Sequence, residues 1–151
     1  MDDSTVPEGV TIGEVLADKY RVERVLGEGG MGVVVAATHV MLNNPVAMKF
    51  LLPQYAQDDK VVARFLREAQ SAVAIKNRHV AQVIDIGSLP SGSPYMVMEY
   101  LEGRDLDDVI YDDGPIADEY RAARLLLQGC EGLAAAHAAG IVHRDIKPNN
   151  L

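Results

Sequence analysis

Leu26-Gly27-Glu28-Gly29-Gly30-Met31-Gly32-Val33-Val34-Val35 is the segment from which the fold can be read. Backbone without a Cβ can approach phosphate closely and aim its amides at it. The same glycines would also serve a plain β-turn. The residues after the last glycine separate the possibilities. A dinucleotide-binding turn needs a helix at once after it. Here the next residues are Val33-Val34-Val35, a β-branched run that favours a strand. Residues 20–26 and 33–38 therefore read as two strands flanking a glycine-rich turn.

Further along the chain, Asn43-Asn44-Pro45 is a turn signal and residues 46–51 form a third strand. Residues 58–75 carry helical periodicity. Residues 80–86 and 95–100 read as further strands, joined by Pro90-Ser91-Gly92-Ser93-Pro94. After Gly103 the character changes to a short helix over 106–111 and a long one over 117–139, which Gly140 stops. Residues 1–17, with Pro7 and Gly9, read as a flexible acidic lead-in. The organisation expected is α+β: a small, mostly antiparallel β unit with one helix over 18–101, then the start of a helical unit over 102–151.

Composition narrows the function. A chain of 151 residues can bury a sizeable core. Its formal charge of −8 argues against a nucleic-acid partner, which would meet a basic patch. The longest apolar-looking stretch, residues 125–142, is broken by Gln128, Glu131 and His137 and is a poor membrane span. The first residues lack the basic and apolar regions of a signal peptide. A single cysteine, Cys130, forms no internal disulfide and is expected to pack in a helix interior, which fits a cytoplasmic setting.

Three further segments carry chemistry. In Val46-Ala47-Met48-Lys49-Phe50, alternate residues share a face, so small Ala47 and charged Lys49 point together. That pair offers room for a ring and then a charge for phosphates; the plainer reading is an exposed lysine on a half-buried strand. On the helix, Val61, Phe65, Ala72 and Ile75 fall to one side, widened by Val62, Leu66, Ala69 and Val73. Glu68 projects among the first set, where a carboxylate is costly unless paired, and Lys49 is the expected partner; the alternative is that Glu68 snorkels to solvent from the stripe's edge. Finally, His143-Arg144-Asp145-Ile146-Lys147-Pro148-Asn149-Asn150 packs an Asp, a Lys and an Asn at offsets suited to phosphoryl transfer. Asp145 can take a hydroxyl proton, Lys147 can neutralise phosphate oxygens and Asn150 can ligate magnesium.

Together these segments resemble the protein kinases, from about Asp18 onward. The last run resembles the catalytic loop in its serine/threonine form, Val46 to Lys49 the Val-Ala-Ile-Lys motif, and Gly29-Gly30-Met31-Gly32 the bacterial members especially. The resemblance implies a two-lobed fold, ATP and Mg2+ as cofactors and a protein substrate. It implies Asp145, Lys147, Lys49 and Glu68 as catalytic, with the Lys49–Glu68 ion pair setting the lysine on the α/β-phosphates. Leu26, Gly27, Gly29, Gly32, Val34, Ala47 and Lys49 would line the nucleotide, with Val34 above the adenine. Met96-Val97-Met98-Glu99-Tyr100-Leu101 resembles the hinge, with Met98 as gatekeeper and the main chain of Glu99 and Leu101 reading the adenine edge. Asp105 would meet the ribose and Asn150 the metal. His143 would shape the loop, and Arg144 implies control by activation-loop phosphorylation. Val35 departs from the aromatic often found there.

A second metal-binding motif, Asp-Phe-Gly, is expected to follow Leu151, so the chain reads as a fragment of a kinase whose parent has room for further domains or an anchor. The alternative is a naturally shortened kinase-like module that binds nucleotide or a partner without catalysis. Leu125, Leu126, Leu127, Leu133 and Ala134-Ala135-Ala136 make the long helix apolar around much of its circumference. The chain on its own is therefore expected to expose that helix and to aggregate. Size-exclusion chromatography with light scattering checks this, and a monomeric, sharply melting sample would refute it.

Overall fold

The computed structural model describes residues 10–151, so expectations for residues 1–9 lie outside it. The described chain divides into two compact units, one ending at Val73 and resuming at Gln82–Leu101, the other made of Ala74–Ala81 and Glu102–Leu151. One division falls after Leu101. Residues 74–81, expected within the first unit, group with the second.

The first unit is a six-stranded antiparallel sheet with helices. Its strands are β1 (Val15–Leu16), β2 (Tyr20–Gly29), β3 (Gly32–His39), β4 (Asn44–Leu51), β5 (Val83–Ser88) and β6 (Pro94–Glu99), in the spatial order β1-β2-β3-β4-β6-β5. Residues 10–17, expected in the lead-in, are built into it: Val10 and Leu16 are buried, and β1 pairs with β2. That edge was missed because two residues give no period to read. The glycine-rich turn is tighter than expected, since pairing runs out to Gly29 opposite Gly32. The fifth strand starts at Val83 rather than at 80, because Val80 closes a turn on Asn77.

Alternation along β4 splits the sheet into two faces. Val46, Met48 and Phe50 stand opposite Ala37, Val35 and Val33 on β3, and Met48 and Phe50 stand opposite Val97 and Tyr95 on β6. With Tyr20 and Val22 they form the main core, and Met48, Phe50 and Val97 are wholly buried. At about 25 cal/mol per Å2 of apolar area, burying each large side chain contributes roughly 1.5–3 kcal/mol. The sheet curls around this core far enough for β2 to reach β5. Tyr20 Oη donates to Asp85 Oδ2 at 3.0 Å, and Lys19 Nζ lies 3.8 Å from the same oxygen.

Pro53–Ala56 forms α1, a single turn that helical periodicity could not reveal, with proline at its start. It is followed by α2, Asp59–Val73. Asp58 caps α2, its Oδ1 accepting from Lys60 N at 2.9 Å. Phe65 and Ala69 are buried against Leu51 and Met96, with Val61, Val62 and Leu66 beside them. The buried stripe is narrower than the expected face: it centres on Phe65 and Ala69, Val73 is exposed, and Ile75, although buried, lies beyond the helix.

In the second unit α3 is Leu106–Asp113 and α4 is Glu119–Ala138, capped by Asp105 and Asp118 respectively. Gly140 ends α4 as expected, at φ 76°, with its N–H on His137 O and that of Ile141 on Ala136 O. One side of α4 packs closely at Gly132, where a Cβ would stand 2.8 Å from His79 O. Nearby, His79 Nε2 meets Glu131 Oε2 at 2.9 Å. The other side carries exposed Leu126, Leu127 and Cys130. Cys130 does not pack inward as expected, because it lies three and four positions from those leucines on the same uncovered face.

Burial, then the hydrogen bond and charge of Asp85, push the Tyr20 phenol from 10.0 to about 12. The unfolded chain therefore ionises first, so this contribution to stability is complete below pH 10 and is lost as pH rises through 12. Tyr20→Phe should flatten that decline, measured as urea midpoint against pH. Tyr95, also raised by burial, leaves a residual slope of the same sign. Gly32→Ala is expected to cost about 1–3 kcal/mol by overpacking, since its Cβ would stand 2.5 Å from the Phe50 carbonyl oxygen. Gly30→Ala, where a Cβ meets nothing within 4 Å, is the control in the same melts.

Candidate active site

The face of the sheet opposite the core carries Gly27, Val34, Ala47, Lys49 and Met98 of the expected nucleotide residues. Lys49 pairs across with Val34 on β3 and Met96 on β6, and Ala47 pairs with Ala36 and Met98. Gly27 stands opposite Val34. Directly opposed residues share a face, so Gly27, Val34, Ala36, Ala47, Lys49, Met96 and Met98 form one continuous patch. Helix α2 covers its Met96 side. Gly32 must lie close on the Phe50 carbonyl, which only a residue without Cβ permits. Leu26 and Leu101 are exposed. Glu99 N–H donates to Gln82 O at 2.9 Å, whereas among the described residues neither main-chain group of Leu101 makes a hydrogen bond.

Two β-bulges on β2 decide which side chains join this patch. Pairing steps from Val22 opposite Ala37 to Arg24 opposite Ala36, and from Val25 opposite Val35 to Gly27 opposite Val34. Each extra residue reverses the alternation. Arg24 consequently lies with Ala36 on the open face, and its Nη2 donates to Tyr100 Oη at 3.0 Å. Reading the sequence missed this contact, because no local signal links residues 76 apart.

Glu68 departs from expectation. Its ion pair is with Arg64 Nε, at 2.9 Å one helical turn back, and no ion pair joins it to Lys49. The narrow buried stripe of α2 explains this: with Phe65 and Ala69 at its centre, Glu68 falls on the border, its side chain 51% exposed. Solvent satisfies the carboxylate there, so nothing compels it inward.

The residues expected to form the catalytic loop lie in the second unit. Arg144 adopts φ 65°, a left-handed conformation that costs a non-glycine residue of order 1–3 kcal/mol. The turn brings Asp145 N–H onto His143 Nδ1 at 3.3 Å. Pro148–Asn150 makes a single 3-10 turn that returns Asn150 to Asp145. Asn150 Nδ2 donates to the Asp145 carbonyl oxygen at 2.8 Å and to its Oδ2 at 3.3 Å. Lys147 Nζ stands 3.2 Å from the same Oδ2. Three of the expected residues thus converge, with the Asp145 side chain 64% exposed and open to a substrate. Asp105, the expected ribose contact, spends Oδ1 on the Asp108 N–H as the cap of α3, at 2.8 Å.

These donors fit the expected cofactors. Asn150 donates through Nδ2, which leaves its Oδ1 for a hard cation such as magnesium. Among the described residues no group of three or more His, Cys, Asp or Glu makes a ready metal site. The glycine hairpin beside Lys49 offers backbone amides and one ammonium to phosphates.

Residues 20–151 match the protein kinase domain. The chain is 39% identical over 140 residues to the serine/threonine-protein kinase pkn3 of Myxococcus xanthus, covering 93% of this chain and 25% of that protein. It is 40% identical over 145 residues to the serine/threonine-protein kinase PknB of Mycolicibacterium smegmatis, covering 94% and 23%. The crystal structure of the Mycobacterium tuberculosis PknI kinase domain superposes with a TM-score of 0.77 at 30% identity, over 93% of this chain and 57% of that one. The chain therefore spans about a quarter of the length of these curated relatives. With its curled antiparallel sheet, its glycine hairpin and its Asp145 loop, the chain belongs to the protein kinase family.

Proposed function

We propose that the protein carrying this chain transfers the γ-phosphoryl group of ATP to serine or threonine hydroxyls of a protein substrate. The convergence of Lys147 and Asn150 on an exposed Asp145 carries the reading. That carboxylate is held by a strained turn and two donors, and it is free to accept a proton. The substrate hydroxyl oxygen bonds to the γ-phosphorus as the bond to the β,γ-bridging oxygen breaks. Asp145 takes the hydroxyl proton and ADP leaves. Lys147 offsets charge on the transferring oxygens, and Asn150 holds Asp145 in register.

Gly27, Gly29 and Gly32 present amides to the phosphates, with Lys49 supplying the charge. Val34, Ala47 and Met98 give the adenine an apolar patch whose register supports the assignment. Leu26 borders that patch, and the unbonded main chain of Leu101, next to Glu99, suits the adenine edge. Asp105 retains Oδ2 for a ribose hydroxyl. Glu68 acts in this scheme by exchanging Arg64 for Lys49. Magnesium, taken through Asn150, supplies electrostatic stabilisation of the phosphates when bound. Bacterial relatives support a serine/threonine kinase acting on protein. Among the described residues no helix is long and apolar enough to cross a membrane. A single unpaired cysteine and the need for ATP favour the cytoplasm.

In the full-length protein, Lys49→Met and Asp145→Asn should each reduce transfer from radiolabelled ATP to a generic protein acceptor by about 10²-fold or more. Undiminished transfer in both variants overturns the assignments.

A further inference from the structure

Resting on the nucleotide reading above, we propose that Arg24 and Tyr100 form a tie that sets the adenine end of the nucleotide patch, which makes both of them positioning residues. The tie is the 3.0 Å hydrogen bond from Arg24 Nη2 to Tyr100 Oη. Its two ends belong to the two segments that border that patch. Arg24 precedes Leu26 by two residues on β2, and Tyr100 sits between Glu99 and Leu101.

Three features make the contact more than a chance meeting of long side chains. The first is the bulge at Glu23. Without it, alternation from Tyr20 and Val22 would aim residue 24 into the core, and with it Arg24 pairs with Ala36 on the open face. The second is the row between the partners. Arg24 stands opposite Ala36, Ala36 opposite Ala47, and Ala47 opposite Met98, two residues before Tyr100. Two alanines in the middle leave a trough that a long guanidinium side chain and a phenol can bridge. The third is the state of Leu101. Among the described residues its main-chain groups make no hydrogen bond, so the tie at Tyr100 is an adjacent side-chain restraint on the segment expected to read the adenine edge.

The second bulge extends the logic. It leaves Leu26 as the extra residue between Val25, which packs on the core, and Gly27, which faces the patch. Leu26 is therefore held by its neighbours along β2 rather than by a partner across the strand. Fixing Arg24 to Tyr100 fixes the separation between the Leu26 wall and the Leu101 main chain. The tie acts on the adenine end of a nucleotide and not on its phosphates.

The test is equilibrium titration of the protein with ATP and magnesium, and separately with adenosine. It compares wild type, Tyr100→Phe, Arg24→Ala, Arg24→Lys and the Arg24→Ala/Tyr100→Phe double variant. Losing one hydrogen bond should weaken both ligands by the same factor, about fivefold. The double variant should bind no more weakly than the weaker single, and Arg24→Lys, which keeps a donor, should recover part of the loss. Should Arg24→Ala not fold, the Tyr100→Phe and Arg24→Lys titrations decide alone. Tyr100→Phe binding both ligands like wild type, with or without a lower melting temperature, overturns the tie and leaves the nucleotide reading standing. Additive losses in the double variant overturn it as well. A folded wild type that binds neither ATP nor adenosine brings down the nucleotide reading, and the tie with it.

Discussion

The two-residue repeat of β4 is the constraint that organises the first unit. A strand can offer one face to a core and the other to a ligand only while alternation holds. Val46, Met48 and Phe50 hold it on the inside, where they anchor β3 and β6. Ala47 and Lys49 are thereby forced to the outside, next to Val34 and Met98. The position of the candidate phosphate ligand is thus a consequence of packing. A one-residue slip would bury the lysine and expose the phenylalanine, and the cost of a buried unpaired charge makes that register inaccessible.

The same constraint explains what reading the sequence recovered. Alternation and β-branching were visible in β3, β4 and β6, so the α+β order, the glycine hairpin and the face shared by Ala47 and Lys49 followed directly. Caps and stops were legible for the same local reason, Gly140 being the clearest case. What escaped was everything that pairing decides. The bulges at Glu23 and Leu26 change faces without changing composition. The edge strand Val15–Leu16 is too short to carry a period. Tyr20 meets Asp85 and Arg24 meets Tyr100 only because the sheet curls.

The Asp145 loop was legible for a different reason. Its chemistry is concentrated in consecutive residues, so a local turn suffices to bring Asp145, Lys147 and Asn150 together. The left-handed Arg144 is the one feature there that residue types did not announce. Its conformational cost is recovered within the same loop, where the His143 imidazole and the Asn150 amide each take up a main-chain group of Asp145.

Glu68 is where periodicity misled, and magnitudes say how much that matters. A stripe reaching fully across Val61, Phe65 and Ala72 would have trapped its carboxylate among apolar side chains. The stripe actually buried, around Phe65 and Ala69, leaves it at the border with Arg64. An exposed ion pair one helical turn apart is worth about 0.3–0.5 kcal/mol, which is below thermal energy at room temperature. Such a pair cannot hold Glu68 against a competitor. Lys49 is half-buried beside Met96, and Phe65 and Ala69 pack on that methionine, so a carboxylate arriving there would meet its partner in a less screened setting. The Arg64 contact therefore fixes the Glu68 carboxylate only weakly at the border of the buried stripe.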